Sequence, residues 1–244
     1  MIKDILTDIV AHTHSLGFLP LVKITNEDDC SVIESMAEDR SVILSAKTHN
    51  PVDSFVGTFG MPDLDKLNLL LKSPEYKENA TIDVVVNNRN GEEIPTGLRF
   101  ENEDKDFVND FRFMSTQLIN EKLKSVKFKG SSWNIEFTPS ISSTQRLKLQ
   151  AQVHNEVSFF KVKVENKNLM FSFGDASTHA GEFIFQPQVE GKLKQEWTWP
   201  IQQVLSILNL NGDMTMKISD QGAMMIVVDS GIAEYQYILP AQTK

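Results

Sequence analysis

Cysteine is nearly missing from this chain. Cys30 is the only one in 244 residues, so no disulfide can form within the chain, and a reducing compartment such as the cytoplasm is expected. Long apolar runs are missing as well: no stretch reaches the roughly 18 residues that a membrane helix needs, so no membrane association is expected. The opening Met1-Ile2-Lys3-Asp4-Ile5 carries an acid early and no continuous apolar block, unlike a secretory leader. Histidines number five, at His12, His14, His49, His154 and His179. None sits in a nucleophile elbow, a zinc-binding helix pair or a phosphate loop. His12 and His14 are two apart on a predicted helix and point to different faces, which does not suit chelation. Asp175 and His179 flank a polar stretch that reads as a hairpin loop rather than as two thirds of a triad. Glycine-rich phosphate cradles and zinc-ligand spacings are absent. With these signatures missing, the sequence gives no support for an enzyme, and no cofactor is expected.

What the chain has in excess is acid: 33 Asp and Glu against 24 Lys and Arg, a formal net charge of −9. The excess is uneven. Residues 1–115 hold 11 basic and 21 acidic side chains, a net of −10, whereas residues 116–244 hold 13 and 12, a net of +1. An acidic surface keeps a protein soluble and repels nucleic acid. Contact with DNA then requires the basic side chains to gather on one surface while the acids face elsewhere. The length suits one large domain or two of about 110–130 residues.

Ile2, Ile5, Leu6, Ile9, Val10 and Leu16 fall at helical spacing and predict a helix over 2–16, stopped by Gly17 and Pro20. Strands are expected at 21–25, 30–36, 40–48 and 54–59. Pro62-Asp63 opens a second helix with Leu64, Leu67 and Leu71 inward, and a valine-rich strand follows over 81–87. The second half repeats this plan, with a helix near 140–154, paired strands at 157–164 and 169–173, and a strand at 195–198. A short helix then opens at Pro200 and closes at Asn211-Gly212 with a left-handed residue. The two proline-opened helices lie 138 positions apart, and the same offset from Lys3 lands on Ile141, near the start of the third helix. Equal spacing of two helix pairs predicts an internal duplication. Residues 146–153 alternate polar and apolar as a strand would, yet are nearly all helix formers; the repeat decides for a helix.

Five basic residues lie on these helices, Lys3, Lys66, Lys72, Arg146 and Lys148. They are the candidates for sequence-independent contact with phosphates, whose strength falls steeply with salt. The segment 138–155 carries two basic residues and no acid, and the last helix carries no charge. A second basic group, Lys122, Lys124, Lys127 and Lys129, reads as an edge strand guarded by lysines, with a nucleic-acid patch or a partner site as alternatives. Trp133, Trp197 and Trp199 are not interleaved with cations and read as packing residues.

The end of the chain is a meander. Gly212-Asp213-Met214-Thr215-Met216 begins it, Asp220-Gln221-Gly222 turns it, Met225–Val228 returns, and a third strand closes at Tyr237-Ile238-Leu239-Pro240. Together with the opening helix, the Pro62–Leu71 segment and the 157–173 hairpin, this resembles the DNA sliding clamps of the T-even-type bacteriophage class, polymerase processivity factors. The resemblance implies an α+β DNA clamp fold with two similar domains, each with antiparallel sheets and two helices. Residues 1–115 would be clamp domain 1, residues 116–132 the interdomain connector and first strand of domain 2, and residues 133–244 clamp domain 2. It also implies a homotrimer forming a ring, helices inward around encircled duplex DNA, with a DNA polymerase and an ATP-dependent clamp loader as partners in an infected bacterial host. Carried onto matching positions, the partner pocket would involve Val42, Leu44, Leu118, Ile119, Tyr237, Leu239 and Pro240, an apolar groove for a peptide tail. Outside this family, a viral structural or assembly protein built from duplicated β-rich domains fits the same acidic, non-catalytic composition.

Overall fold

The computed structural model describes residues 2–77, 79–89, 91–124, 132–175, 177 and 179–242. The chain divides into two compact units: Met1–Lys127 with Ser230–Tyr235, and Phe128–Asp229 with Gln236–Lys244.

Unit 1 opens with helix α1 (Ile2–His12), whose Leu6, Ile9 and Val10 are buried. Four antiparallel strands follow: β1 (Val22–Asn26), β2 (Ser31–Met36), β3 (Ile43–Thr48) and β4 (Thr58–Met61), in the order β4-β1-β2-β3. The strict alternation of burial along β2 sets buried Ser31, Ile33 and Ser35 against half-buried Val32, Glu34 and Met36. Helix α2 (Leu64–Lys72) packs beside α1 with Leu64, Leu67 and Leu71 inward. Then β5 (Thr81–Arg89), β6 (Glu92–Glu101) and β7 (Val108–Arg112) form a second sheet in that order. A short helix, α3 (Thr116–Lys122), lies on β4.

Unit 2 repeats the plan. A short strand β8 (Ile135–Phe137) precedes helix α4 (Ile141–Val153). Then come β9 (Phe159–Glu165), β10 (Asn168–Phe173), β11 (Gly181–Gln186) and β12 (Trp197–Pro200), in the order β11-β10-β9-β12. Helix α5 (Ile201–Leu208) leads to β13 (Asp213–Ser219), β14 (Ala223–Asp229) and β15 (Ala233–Pro240), ordered β15-β14-β13-β8. The two units therefore share one succession of helix, four strands, helix and three strands, with matching strand orders. The duplication expected from the helix spacing is present, and residues 141–153 are helical.

That last helix versus strand conflict is resolved by packing. Ser143 and Leu147 are buried, and Gln150 and His154 continue the same stripe at helical spacing. Ser140 caps the helix, its hydroxyl accepting from the Ser143 amide at 3.0 Å, and the Ser143 hydroxyl donates to the Phe185 carbonyl at 2.6 Å. A strand would leave those partners unmet.

Several boundaries differ from the sequence expectations. Helix α1 stops at His12; a 3-10 turn covers His14–Leu16, and Gly17 closes it at φ 86°. Helix α2 begins at Leu64, with Asp63 in a left-handed conformation (φ 50°) before it, so Pro62 stands outside the helix rather than at its first position. Helix α5 ends at Leu208 with Asn209 in a right-handed conformation. Gly212 does not close that helix. It immediately precedes β13 at φ 135°, where an added Cβ would lie 2.3 Å from the Asp229 carbonyl oxygen. The lysine-guarded edge strand is also corrected: Lys122 ends α3 and Lys124 follows it in irregular backbone. Lys127 and Lys129 lie outside the described residues.

Ser230–Tyr235 belongs to unit 1 and is fastened there by one carboxylate. Asp8, its side chain only 11 % exposed, accepts from the Tyr235 hydroxyl at 2.7 Å, the Ser230 hydroxyl at 2.9 Å and His12 Nδ1 at 3.2 Å. The His12 ring stacks on Tyr235 at 4.2 Å. Burial alone would push the Asp8 carboxyl up, but the hydrogen bonds from His12, Tyr235 and Ser230 outweigh it and hold its pKa below the ordinary 3.8.

Candidate nucleic-acid interface

The basic residues singled out in the sequence have different fates. On α1, the Lys3 ammonium donates to the backbone carbonyls of Tyr76 and Lys77, which ties it to the turn after α2. On α2, Lys66 pairs with Asp63 at 3.3 Å. Lys72, Arg146 and Lys148 are exposed and, among the described residues, form no ion pair. Helix α4 carries Arg146 and Lys148 with no acid along its length, and α5 carries no charge. The α4–α5 pair of unit 2 is thus purely cationic, whereas the α1–α2 pair mixes both signs. On α1, Asp8 is drawn inward by its hydrogen bonds, leaving Asp4 as the exposed acid of that helix.

The residues that the resemblance assigns to a partner pocket divide by exposure. Val42, Leu44 and Ile119 are buried in unit 1, and Tyr237 and Leu239 in unit 2. Leu118 is 51 % exposed on α3, and Pro240 is exposed at the end of β15. Ile119 and Leu118 are neighbours with opposite roles. Ile119 packs onto Gly60 so closely that an added Cβ there would lie 2.8 Å from its Cγ1. Gly60 and Met114 exchange backbone hydrogen bonds at 2.8 and 3.0 Å, and the Ser115 hydroxyl caps α3. The helix is therefore fixed on β4 while Leu118 faces outward.

Leu118 is one wall of an apolar groove of about 750 Å³ in unit 1, lined also by Leu69, Phe107, Phe111, Phe113 and Met114 and rimmed by Lys66, Asp110 and Arg112. Strand β7 forms part of it and is an edge strand of its sheet. In unit 2, β11 is likewise an edge strand, and the adjacent α4 exposes Ile141, Leu149 and Val153 at 80, 59 and 62 %. Ile141, Leu149 and Val153 stand about 120°, 200° and 240° around the helix from buried Leu147 and so share the face turned away from it. Sequence reading missed both surfaces. The α4 stripe was hidden inside an alternation shared with buried Leu147, and the groove is assembled from β7, α2 and α3, which are distant in sequence. Among the described residues no group of three His, Cys, Asp or Glu side chains could hold a metal, and no helix is long and apolar enough to cross a membrane.

No protein-family model and no curated protein sequence matches this chain. Its fold, by contrast, is shared with solved structures. The chain is similar to PCNA from Thermococcus kodakaraensis, with a TM-score of 0.69 and 9 % identity over 98 % of this chain and 97 % of that one. A. fulgidus PCNA, solved with the C-terminal region of FEN-1 bound, gives 0.67 and 12 % over 99 % and 95 %. The proliferating cellular nuclear antigen of Entamoeba histolytica gives 0.60 and 10 % over 99 % and 95 %. At these identities the likeness is one of fold, and it is nearly complete: the α+β clamp fold of PCNA, with antiparallel sheets and few helices.

Proposed function

We propose that this chain is a DNA sliding clamp of the T-even-type bacteriophage class, a non-catalytic processivity factor whose copies close into a homotrimeric ring around duplex DNA. The observation that carries this reading is the PCNA fold over nearly the whole chain, joined to a helix pair in unit 2 that bears only positive charge. Lys72, Arg146 and Lys148 would face the duplex as sliding phosphate contacts; Lys3 and Lys66 would contribute less, since each is already engaged. Weak contacts suffice when a closed ring retains its DNA by topology, and a polymerase bound to the ring gains its processivity through effective concentration.

Exposed edge strands support closure. An edge strand flanked by exposed apolar side chains is a pairing site unless it is guarded. Among the described residues, β7 beside the Leu69–Phe107 groove and β11 beside the α4 stripe are edge strands of this kind. Pairing β7 of one copy with β11 of the next is a head-to-tail contact, which generates a ring when the rotation closes. The polymerase and an ATP-dependent clamp loader would dock by peptide tails, as the C-terminal region of FEN-1 does on A. fulgidus PCNA. Leu118 in unit 1 and Pro240 in unit 2, the exposed members of the expected set, are the residues such tails would touch, whereas Val42, Leu44, Ile119, Tyr237 and Leu239 are buried within their own units.

Two measurements test the proposal. Light scattering over a dilution series should give about three times the 27.6 kDa subunit mass. Retention after loading should persist on closed circular DNA and vanish when the circle is linearised. Equal loss from both forms would reject encirclement, and a stable dimer would reject the six-domain ring.

A further inference from the structure

Among the described residues, the two units match strand for strand except at one place. In unit 2, β8 covers the outer edge of β13 as an antiparallel strand, with Ile135, Glu136 and Phe137 opposite Ile218, Lys217 and Met216. In unit 1 the strand in the same position is β5, the first strand after the second helix. Among the described residues no strand covers its outer edge, because the β5-β6-β7 sheet ends there. Burial reflects the difference. Met216, Ile218 and Ser219 of β13 are fully buried, whereas β5 buries only Ile82 and leaves Val84, Val85 and Val86 half-buried.

Two of the usual guards are missing from this edge, and the register shift against β6, between Val85 and Val86, lies beyond Asp83. Thr81–Asn88 contains no lysine and no proline, and its run of three valines strongly favours strand pairing. Its single charge, Asp83, is exposed and has no ion-pair partner among the described residues. Arg99, opposite it on β6, is engaged instead by Asp110 at 3.6 Å and Glu101 at 3.7 Å. In unit 2 the corresponding sheet edge presents Lys217, which β8 answers with Glu136 at 3.0 Å. The sign at β5 is reversed.

We infer that the outer edge of β5 is a docking site for an extended segment of a partner protein, added as an antiparallel strand of pattern apolar–basic–apolar. Main-chain hydrogen bonds to β5 supply affinity. The flanking apolar residues extend the core beside Ile82 and Val84, as Ile135 and Phe137 do beside β13. The central Lys or Arg meets Asp83, the charge-reversed counterpart of the Glu136–Lys217 pair. The site does not depend on ring formation and is separate from the Leu118 groove.

The chain's own β8 supplies the probe. A fluorescent peptide of residues 132–140 carrying Glu136→Lys is titrated against the full-length protein by anisotropy, and amide exchange is followed by mass spectrometry. Bound at ten times its Kd, the peptide should slow exchange over 81–87 about tenfold. The unaltered Glu136 peptide should bind about two- to fivefold more weakly, the range of an exposed ion pair. A peptide with Ile135→Pro and Phe137→Pro should not bind. Protection confined to 213–219 would mean exchange into the place of β8 and would overturn the proposal. So would the absence of new protection over 81–87, or amides there already as slow as those of β13 without peptide. Protection of 81–87 that grows with protein concentration alone would assign the edge to a second copy and likewise overturn the partner assignment.

Discussion

Replacing Asp8 with alanine should release the Ser230–Tyr235 segment from unit 1. The carboxylate is nearly buried and accepts hydrogen bonds from Tyr235, Ser230 and His12 at 2.7, 2.9 and 3.2 Å. A hydrogen bond to a charged group contributes about 1.5–3 kcal/mol, and the loss of three is offset in part because the variant no longer buries a charge. A net loss of about 3 kcal/mol is expected. In urea, with m of about 2–3 kcal/mol/M, the midpoint should fall by roughly 1 M. Exchange over 230–235 should accelerate far more than exchange over β1 and β2. The pH dependence adds an independent check. Because the folded pKa of Asp8 lies below its ordinary 3.8, its contribution is fully present above that value and is lost as pH falls through the folded pKa. Asp8→Asn lacks that titration, so the gap between wild type and Asp8→Asn should narrow as pH drops from 6 towards 3. A midpoint shift of less than about 0.3 M, with unchanged exchange over 230–235, would refute the reasoning.

Other expectations follow from single contacts. Gly60→Ala should cost about 1–3 kcal/mol, because its methyl group meets the buried Ile119 side chain; a thermal melt reads the loss, and pairing it with Ile119→Ala should recover part of it. Leu239→Asp buries an unpaired carboxylate among the core of unit 2 and should lower the melting temperature sharply, so lost polymerase stimulation in that variant would report folding. Leu118→Asp is the cleaner probe of partner binding, since its exposed side chain should leave the melt unchanged while weakening a polymerase tail. Arg146→Gln with Lys148→Gln should flatten the salt dependence of DNA association while leaving the mass in solution unchanged; an unaltered slope would remove both residues from the interface.

The repeat of two helix pairs was legible because proline, leucine spacing and turn residues are local signals. So was the closing meander, whose Met214, Met216 and Ile218 alternate cleanly. Strands β6 and β7 were not legible: Pro95, Gly97 and a flanking run of charge obscure the one, and the other is only five residues long. Helix α3 escaped because its lysine-rich end suggested an edge strand, whereas Ser115 capping and the fit of Ile119 on Gly60 decide its form. Among the candidate site residues, the sequence identified the charges of α4 but could not show that Lys3 and Lys66 are engaged. It also named apolar residues without telling floor from surface, since Leu118 and Ile119 differ only in which way the helix turns them.

The way unit 1 is completed bears on how the protein is made. Its first stretch ends at Lys127, yet the segment that Asp8 fastens, Ser230–Tyr235, emerges about a hundred residues later. At roughly 5–20 residues per second of synthesis, the nascent first unit waits some 5–20 s for its last piece. During that interval Asp8 is without two of its donors, and the ring of His12 has no Tyr235 to stack on. A ribosome stalled between these points would hold a protein whose first half is fully translated but not finished, a state in which chaperone capture or proteolysis would act most readily.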